Sequence, residues 1–280
     1  MALNLDEIGD PLAIIKGGKH HGRVICVDRS DKNKGVGYIE MKKKEELVPM
    51  VNTNNVEIEY DQYGREIGQN YVARNMAFVV GMSGSGKSTY CVQLAKSYRD
   101  EFPKGNIYVF SVSNPKEDPA YRSLYTKRDG SVDKKFKAFV LDESLIDSPI
   151  LMEDLEPGSF VIFDDASTVY DDKVKKVLIK LQMRIMECGR KRGLHICVLN
   201  HNPTMNERAL GRTVLNECNS FTFFPKGGSF GQLEYALKNH MGLTKQQIDY
   251  IRQLPNTRWV TIFRNYPMVV MTQKCIFQLV

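Results

Sequence analysis

Between residues 81 and 89 the chain reads Gly-Met-Ser-Gly-Ser-Gly-Lys-Ser-Thr, which puts Gly81, Gly86, Lys87 and Ser88 in the spacing G-x-x-x-x-G-K-[ST]. Gly81, Gly84 and Gly86 let the backbone wrap tightly, so that successive N–H groups converge on a polyanion. Ser83, Ser85 and Thr89 belong to the same wrap and complete the expected phosphate-binding set. Lys87 is long enough to reach terminal phosphates, and the Ser88 hydroxyl is a hard donor for Mg²⁺. A helix opening near Lys87 adds the positive end of its dipole. The chemistry predicted by these types at this spacing is binding of a nucleoside triphosphate with Mg²⁺.

Two further strand ends carry chemistry. Ser159-Phe-Val-Ile-Phe-Asp-Asp-Ala-Ser167 runs from four apolar residues into two acids, the form of the Walker B motif. Asp164 is expected to hold Mg²⁺ through water, and Asp165 to polarise the attacking water. Many strands end in acids at a turn, so the pair gains its meaning from the phosphate loop upstream. Leu194–Leu199 is a second apolar run, after which Asn200 and His201 stand where a polar side chain senses phosphate or holds water.

These groups need a scaffold, and the periodicity supplies one. Met76–Val80 is apolar, too short for a helix, and runs into the loop; the residues after it follow a helical pattern to Arg99. Asn106–Val112 and Ala138–Leu141 read as further strands, with the polar stretch 113–135 between them as an exposed excursion. A helix is predicted from about Asp171 to Arg190, its apolar face formed by Val174, Val177, Leu178, Leu181 and Ile185. Lys173, Lys176, Lys180 and Arg184 make a basic stripe on it, either a solvated face or a surface for phosphate backbone or a neighbouring subunit. Asn219–Phe224 is another core strand, and residues 225–229 a loop. A short helix covers Leu233–His240, and Thr244-Lys-Gln-Gln opens another with the form of a capping box. Trp259–Phe263 and Met268–Thr272 flank Arg264-Asn-Tyr-Pro as a terminal hairpin. The aromatics Phe221, Phe223, Phe224, Trp259 and Phe263 lie in apolar strands and read as core residues, not as base-stacking platforms.

The run Glu187-Cys-Gly-Arg-Lys-Arg-Gly-Leu-His-Ile-Cys-Val-Leu-Asn-His-Asn-Pro-Thr204, together with the two Walker motifs, resembles the FtsK/HerA superfamily of DNA-pumping ATPases. In that family a Gly-Arg-x-x-Gly segment leads into an apolar strand ending in Thr-Gln. With Asp-Asp in Walker B, it looks most like the genome-packaging ATPases of large DNA viruses, the poxvirus type. The resemblance covers roughly residues 77 to 224, and Asn200-His201 departs from its Thr-Gln. It implies a homo-oligomeric ring in which an arginine reaches the neighbour's site; Arg190 and Arg192 are the first candidates, with Arg208 and Arg212 behind them.

The 280 residues carry a net charge of +6, unevenly placed. Residues 1–72 hold ten Lys/Arg against twelve Asp/Glu, and the rest holds twenty-nine against twenty-one, so the positive excess lies with the phosphate loop. That distribution suits a polyanionic partner such as DNA. The six cysteines have no C-x-x-C spacing, which argues for neither a zinc site nor a disulfide framework. No apolar run approaches the roughly 20 residues of a membrane span, and the N-terminus lacks the regions of a signal peptide. A reducing compartment is expected: the cytoplasm, with the viral assembly site or the virion if the protein is viral.

Residues 1–72 are expected to form a small β-rich module of unassigned role, built on Leu12–Lys16, Arg23–Asp28, Val36–Met41, Leu47–Val51 and Val56–Tyr60 and punctuated by Asn52-Thr-Asn-Asn. His20-His21 reads as a solvated turn, and the run Lys42–Glu46 as a solvated charged corner. Residues 73–280 are expected to be an α/β P-loop ATPase domain, RecA/FtsK-like, with a mostly parallel sheet flanked by helices. The predicted function is Mg²⁺-dependent ATP hydrolysis driving double-stranded DNA translocation into a viral capsid, with capsid or portal proteins as partners. Alternatives are a cellular or plasmid translocase of the same superfamily, a P-loop kinase, and an ATP-binding assembly protein without turnover.

Overall fold

The computed structural model describes residues 2–29, 35–52, 56–63, 65–71, 74–127, 129–204, 208–226, 230–255 and 257–279. Before residue 50 lie β1 (Ala2–Asn4), β2 (Asp10–Lys16), β3 (Val24–Asp28), β4 (Tyr38–Glu40) and β5 (Glu46–Pro49). Four of these form an antiparallel sheet in the order β1-β3-β2-β5. β6 (Val56–Tyr60) and β7 (Glu66–Tyr71) make a separate antiparallel ribbon.

β8 (Met76–Val80) runs into α1 (Lys87–Glu101), followed by β9 (Ile107–Ser111), α2 (Arg122–Tyr125), β10 (Phe136–Val140) and α3 (Ser144–Asp147). Then come β11 (Phe160–Asp164), α4 (Asp172–Cys188), β12 (His195–Asn200), α5 (Arg208–Glu217) and β13 (Ser220–Phe223). The chain continues through α6 (Phe230–Asn239), α7 (Lys245–Arg252), β14 (Val260–Phe263), β15 (Val269–Met271) and β16 (Cys275–Gln278). The main sheet has the order β10-β9-β11-β12-β8-β13-β14-β15-β16-β4. From β10 to β13 it is parallel, and from β13 to β4 neighbouring strands are antiparallel. This is the expected mostly parallel sheet flanked by helices, accompanied by a small antiparallel sheet.

The uninterrupted apolar runs follow from burial on both faces. In β8, Phe78 and Val80 enter one core while Ala77 and Val79 enter the other; β11 divides Val161 and Phe163 from Phe160 and Ile162 in the same way. Helices α4 to α7 cover the first face, contributing Leu178, Val214, Leu237 and Ile248. The second face is covered by α1, and Leu12, Ile15 and Leu47 of the small sheet join Val92 and Leu94 of that helix in one core. Two helix starts are set as predicted. The Asp171 carboxylate accepts from the amides of Lys173 and Val174, and Thr244 and Gln247 form the reciprocal capping box.

Several local expectations are corrected. Tyr38–Glu40 joins the main sheet by pairing with β16, and the terminal hairpin gains that third strand. Helix α5 was not foreseen. The stretch 113–135 is not wholly exposed, because Tyr121 and Leu124 are fully buried. Two apolar side chains in a run of charges give no periodic signal, yet they suffice to pin the segment. Glu45 is also buried: its carboxylate accepts from the amides of His20 and Lys42 and meets the His20 ring at 2.9 Å. The loop signals at 53–55 and 227–229 lie outside the described residues, and so does the side chain of Arg208.

Candidate active site at the C-terminal edge of the sheet

Strand register brings the predicted groups to one level. Asp164 pairs with Ser111 of β9 and with Leu199 of β12, and Asn200 pairs with Val80 of β8. Parallel strands that end together open a crevice beyond their carboxyl ends. Because β12 is inserted between β8 and β11, the loop after β8 and the acids after β11 flank its end. The Gly81 amide donates to the Asn200 carbonyl at 3.1 Å, which fixes the entry of the loop.

The loop needs its glycines for two reasons. Gly84 and Gly86 have φ of 73° and 107°, a region costly for residues with a Cβ. Gly81 is constrained by space instead, since a Cβ there would stand 2.8 Å from the Phe224 ring. Lys87 folds back over the loop, its Nζ donating to the carbonyls of Gly81 at 2.9 Å and Met82 at 3.3 Å. Burial pulls its pKa below the ordinary lysine value, opposed by the nearby Asp165 and Asp164.

The tandem acids sit in different surroundings. Asp164 is buried, which pushes its pKa up to about 6 against the hydrogen bond from Tyr121; the charges of Asp165 and Asp118 push it further. Tyr121 Oη donates to Asp164 Oδ2 at 2.7 Å. Asp165 is 36% exposed and adopts a left-handed φ of 50°, a conformation that Asp and Asn tolerate better than most residues. His201 Nε2 lies 3.2 Å from Asp165 Oδ1. The Asn200 side chain is engaged elsewhere. Its Oδ1 accepts from Ser167 Oγ at 2.5 Å, and its Nδ2 donates to the Asn202 carbonyl at 2.9 Å.

A cavity of about 530 Å³ unites Gly86, Lys87, Ser88, Asp164 and Asp165, a volume typical of small-molecule sites. Ser83, Gly84 and Thr89 also border it, whereas Gly81, Ser85, Asn200 and His201 do not. Ser88 and Asp164 are hard oxygen donors that line the same cavity. That set fits Mg²⁺, which binds through one or two carboxylates plus substrate phosphates. Among the described residues there is no cluster of three or more His, Cys, Asp and Glu able to hold a metal unaided. Asp118, Tyr121 and Arg258 are among the residues around this cavity that the sequence did not mark. The first two lie in the charged excursion, and Arg258 belongs to no motif that would have marked it.

Arg190 and Arg192 lie at the other end of the sheet. They precede β12, and the Arg192 carbonyl accepts from Gly158 just ahead of β11, so a strand length of roughly 20 Å separates them from the cavity. The Arg192 guanidinium donates to the carbonyls of Glu153 and Leu155. Arg212 is exposed on α5. The Gly-Arg-x-x-Gly run has a structural explanation: Gly193 ends the helical segment with φ of 62°, and Gly189 leaves room for the Arg74 guanidinium.

No protein-family model matches the chain. Protein V3 of Sputnik virophage, described only as uncharacterized, is 32% identical over 269 residues, 96% of this chain and 95% of its own. Among solved structures, B204, the DNA-packaging ATPase from Sulfolobus turreted icosahedral virus, aligns over 74% of this chain and 98% of its own at 12% identity, with a TM-score of 0.49. The cytoplasmic domain of the type VII secretion ATPase EccC from Thermomonospora curvata aligns over 77% of this chain and 28% of its own at 16% identity, with a TM-score of 0.49.

Proposed function

We infer that this chain, which belongs to the family of Sputnik virophage protein V3, is a P-loop ATPase of the FtsK/HerA type that hydrolyses ATP with Mg²⁺ and uses the energy to move double-stranded DNA into a viral capsid. The observation that carries the hydrolytic part is the single cavity in which the phosphate loop, Lys87 and the tandem acids meet. Loop amides and Lys87 bind the phosphates, Lys87 exchanging its loop carbonyls for phosphate oxygens. Ser88 and Asp164 would hold Mg²⁺, which when bound neutralises charge on the phosphates. The division of labour between the acids follows from their surroundings. Asp164 is buried and fixed by Tyr121, whereas Asp165 is half-exposed and free to meet a water molecule. Asp165 is thus the general base, with His201 Nε2 beside it at 3.2 Å from Oδ1.

The DNA part rests on the Gly189–Asn202 resemblance, on the viral source of the relative, and on the placement of charge. Lys173, Lys176, Lys180 and Arg184 are all exposed along α4 and offer a row of cations to a phosphate backbone. A ring of copies would give Arg190 a use that its distance from its own cavity denies it, and Arg192 would brace the same corner. Capsid or portal proteins at the site of virus assembly are the partners this reading requires. Among the described residues no helix is long and apolar enough to cross a membrane.

Steady-state ATP hydrolysis with and without long double-stranded DNA, across protein concentration and salt, tests the reading. Stimulation that rises cooperatively with protein, fades with salt and weakens when Lys173, Lys176 and Lys180 become glutamine is the expected result. Hydrolysis indifferent to DNA and linear in protein would remove the translocation claim. Phosphate transfer to a nucleoside would replace it with a kinase.

A further inference from the structure

Arg258 is exposed, yet it borders the phosphate cavity together with Gly86, Lys87 and Ser88. A Cβ on Gly86 would stand 3.3 Å from its Nη2, so the guanidinium lies directly against the loop. The backbone that carries it is held on both sides. The Arg258 amide donates to Gln273 Oε1 at 2.9 Å, and the adjacent Trp259 is buried with its ring 5.1 Å from that of Tyr90, edge to face. Tyr90 in turn shares a 2.8 Å hydrogen bond with Thr261 of β14. The start of β14 is therefore fastened to the first turn of α1, the turn that closes the phosphate loop. Among the described residues the guanidinium has neither an ion pair nor a hydrogen bond, although its backbone is anchored.

The same side chain also borders a second, smaller cavity of about 90 Å³, lined by Thr89, Gln93, Phe224 and Gln273. Gly86 and Thr89 face both spaces, so the two meet at Arg258. In a loop of this spacing the lysine serves the β- and γ-phosphates while the backbone serves the α and β. Arg258 stands on the backbone side, beside Gly86, where the two cavities meet.

We propose that Arg258 is a phosphate-binding residue of the nucleotide site, contributed by the same subunit as the loop and directed at the α- and β-phosphates. A guanidinium is suited to this, because its planar fork meets two phosphate oxygens at once. The assignment gives the antiparallel extension of the sheet a function: it carries the second cation of the site. It rests on the ATP-site reading above.

The test is calorimetric titration of ADP with Mg²⁺ into the wild-type protein, Arg258→Ala and Arg258→Lys, with KM for ATP measured alongside. Arg258→Ala is expected to weaken ADP binding about 10- to 100-fold, the range for a hydrogen bond to a charged group, and to raise KM by a similar factor. Arg258→Lys should recover part of the loss, and the melting temperature without nucleotide should not move, since the side chain is exposed. Equal ADP affinity in wild type and Arg258→Ala would overturn the proposal. So would a loss accompanied by an equal loss in Arg258→Lys and a lowered melting temperature, which marks a structural role. A wild-type protein that binds no nucleotide would instead overturn the site itself.

Discussion

Tyr121 donates its hydroxyl to Asp164 Oδ2 at 2.7 Å, tying the charged excursion between β9 and β10 to the acid at the end of β11. The tyrosine is itself held in place by its surroundings. It closes a short 3₁₀ turn whose start is capped by Asp118, which accepts from the Ala120 amide, and its ring is buried against the core shared with α1. One oxygen of the carboxylate is thereby fixed before any ligand arrives. Preorganisation of this kind, by a residue that does not itself touch the metal, commonly governs how well a first ligand performs.

Replacing Tyr121 by phenylalanine keeps the buried ring and removes only the donor. We expect Tyr121→Phe to raise the Mg²⁺ concentration for half-maximal ATP hydrolysis about 10-fold with little change in melting temperature. A magnesium titration of the ATPase rate decides it. An unchanged titration curve would mean that the hydrogen bond positions nothing of use.

The two acids should separate cleanly from the lysine in their effects. Asp165→Asn keeps a residue that tolerates the left-handed backbone, so the fold should persist while turnover falls by about 10²-fold or more, with ATP still bound. Lys87→Ala should lose both binding and turnover. Paired measurements of ATP binding and hydrolysis separate the two variants, and normal turnover by Asp165→Asn would remove it as the base.

The phosphate loop, Walker B and the sheet around them were legible because each is local. A glycine spacing, an apolar run and a following helical period are all read within about 25 residues of sequence. What escaped the sequence was assembled over distance. Arg258 reaches the loop only because β14 is fastened to α1 through Trp259 and Tyr90, contacts that span more than half of the chain. Tyr121 hid among charges, and Tyr38–Glu40 joined the main sheet through a partner at the far end of the sequence. The placement of Arg190 and Arg192 away from the cavity follows from strand direction, which periodicity does not report. The Asn200 side chain turned out to brace the turn after β12, leaving His201 as the member of the pair that lies beside Asp165.

His195 makes a pH prediction. Burial, with the charge of Arg74 adding to it, lowers its pKa to about 3, and Nδ1 accepts from the Asn75 backbone amide at 3.3 Å. A histidine depressed below its ordinary value near 6.5 favours the fold in its neutral form. Its contribution is complete above pH 6.5 and is lost as pH falls toward 3, by about 1.4 kcal/mol per pH unit at the steepest. Urea midpoints of wild type and His195→Gln between pH 7 and 4.5 measure this. The wild type should lose stability faster on acidification, and parallel curves would show that His195 is not held neutral.

The last prediction concerns why the Gly-Arg-x-x-Gly run begins with glycine. Arg74, buried just ahead of β8, donates from Nη1 to the Ile185 carbonyl at 2.6 Å and from Nη2 to that of Met186, satisfying carbonyls at the end of α4. A Cβ on Gly189 would lie 2.7 Å from that same Nη1. Alanine there must displace a buried guanidinium from the acceptors that justify its burial, and Gly189→Ala should cost about 1–3 kcal/mol in denaturant unfolding. If the cost arises through Arg74, the double variant Arg74→Ala/Gly189→Ala should be more stable than the sum of the single losses implies. Strict additivity would place the cost elsewhere, in the 3.3 Å approach to the Leu194 Cβ. A double variant more stable than that sum would make the glycine of the run a packing requirement set by a cation more than a hundred residues away.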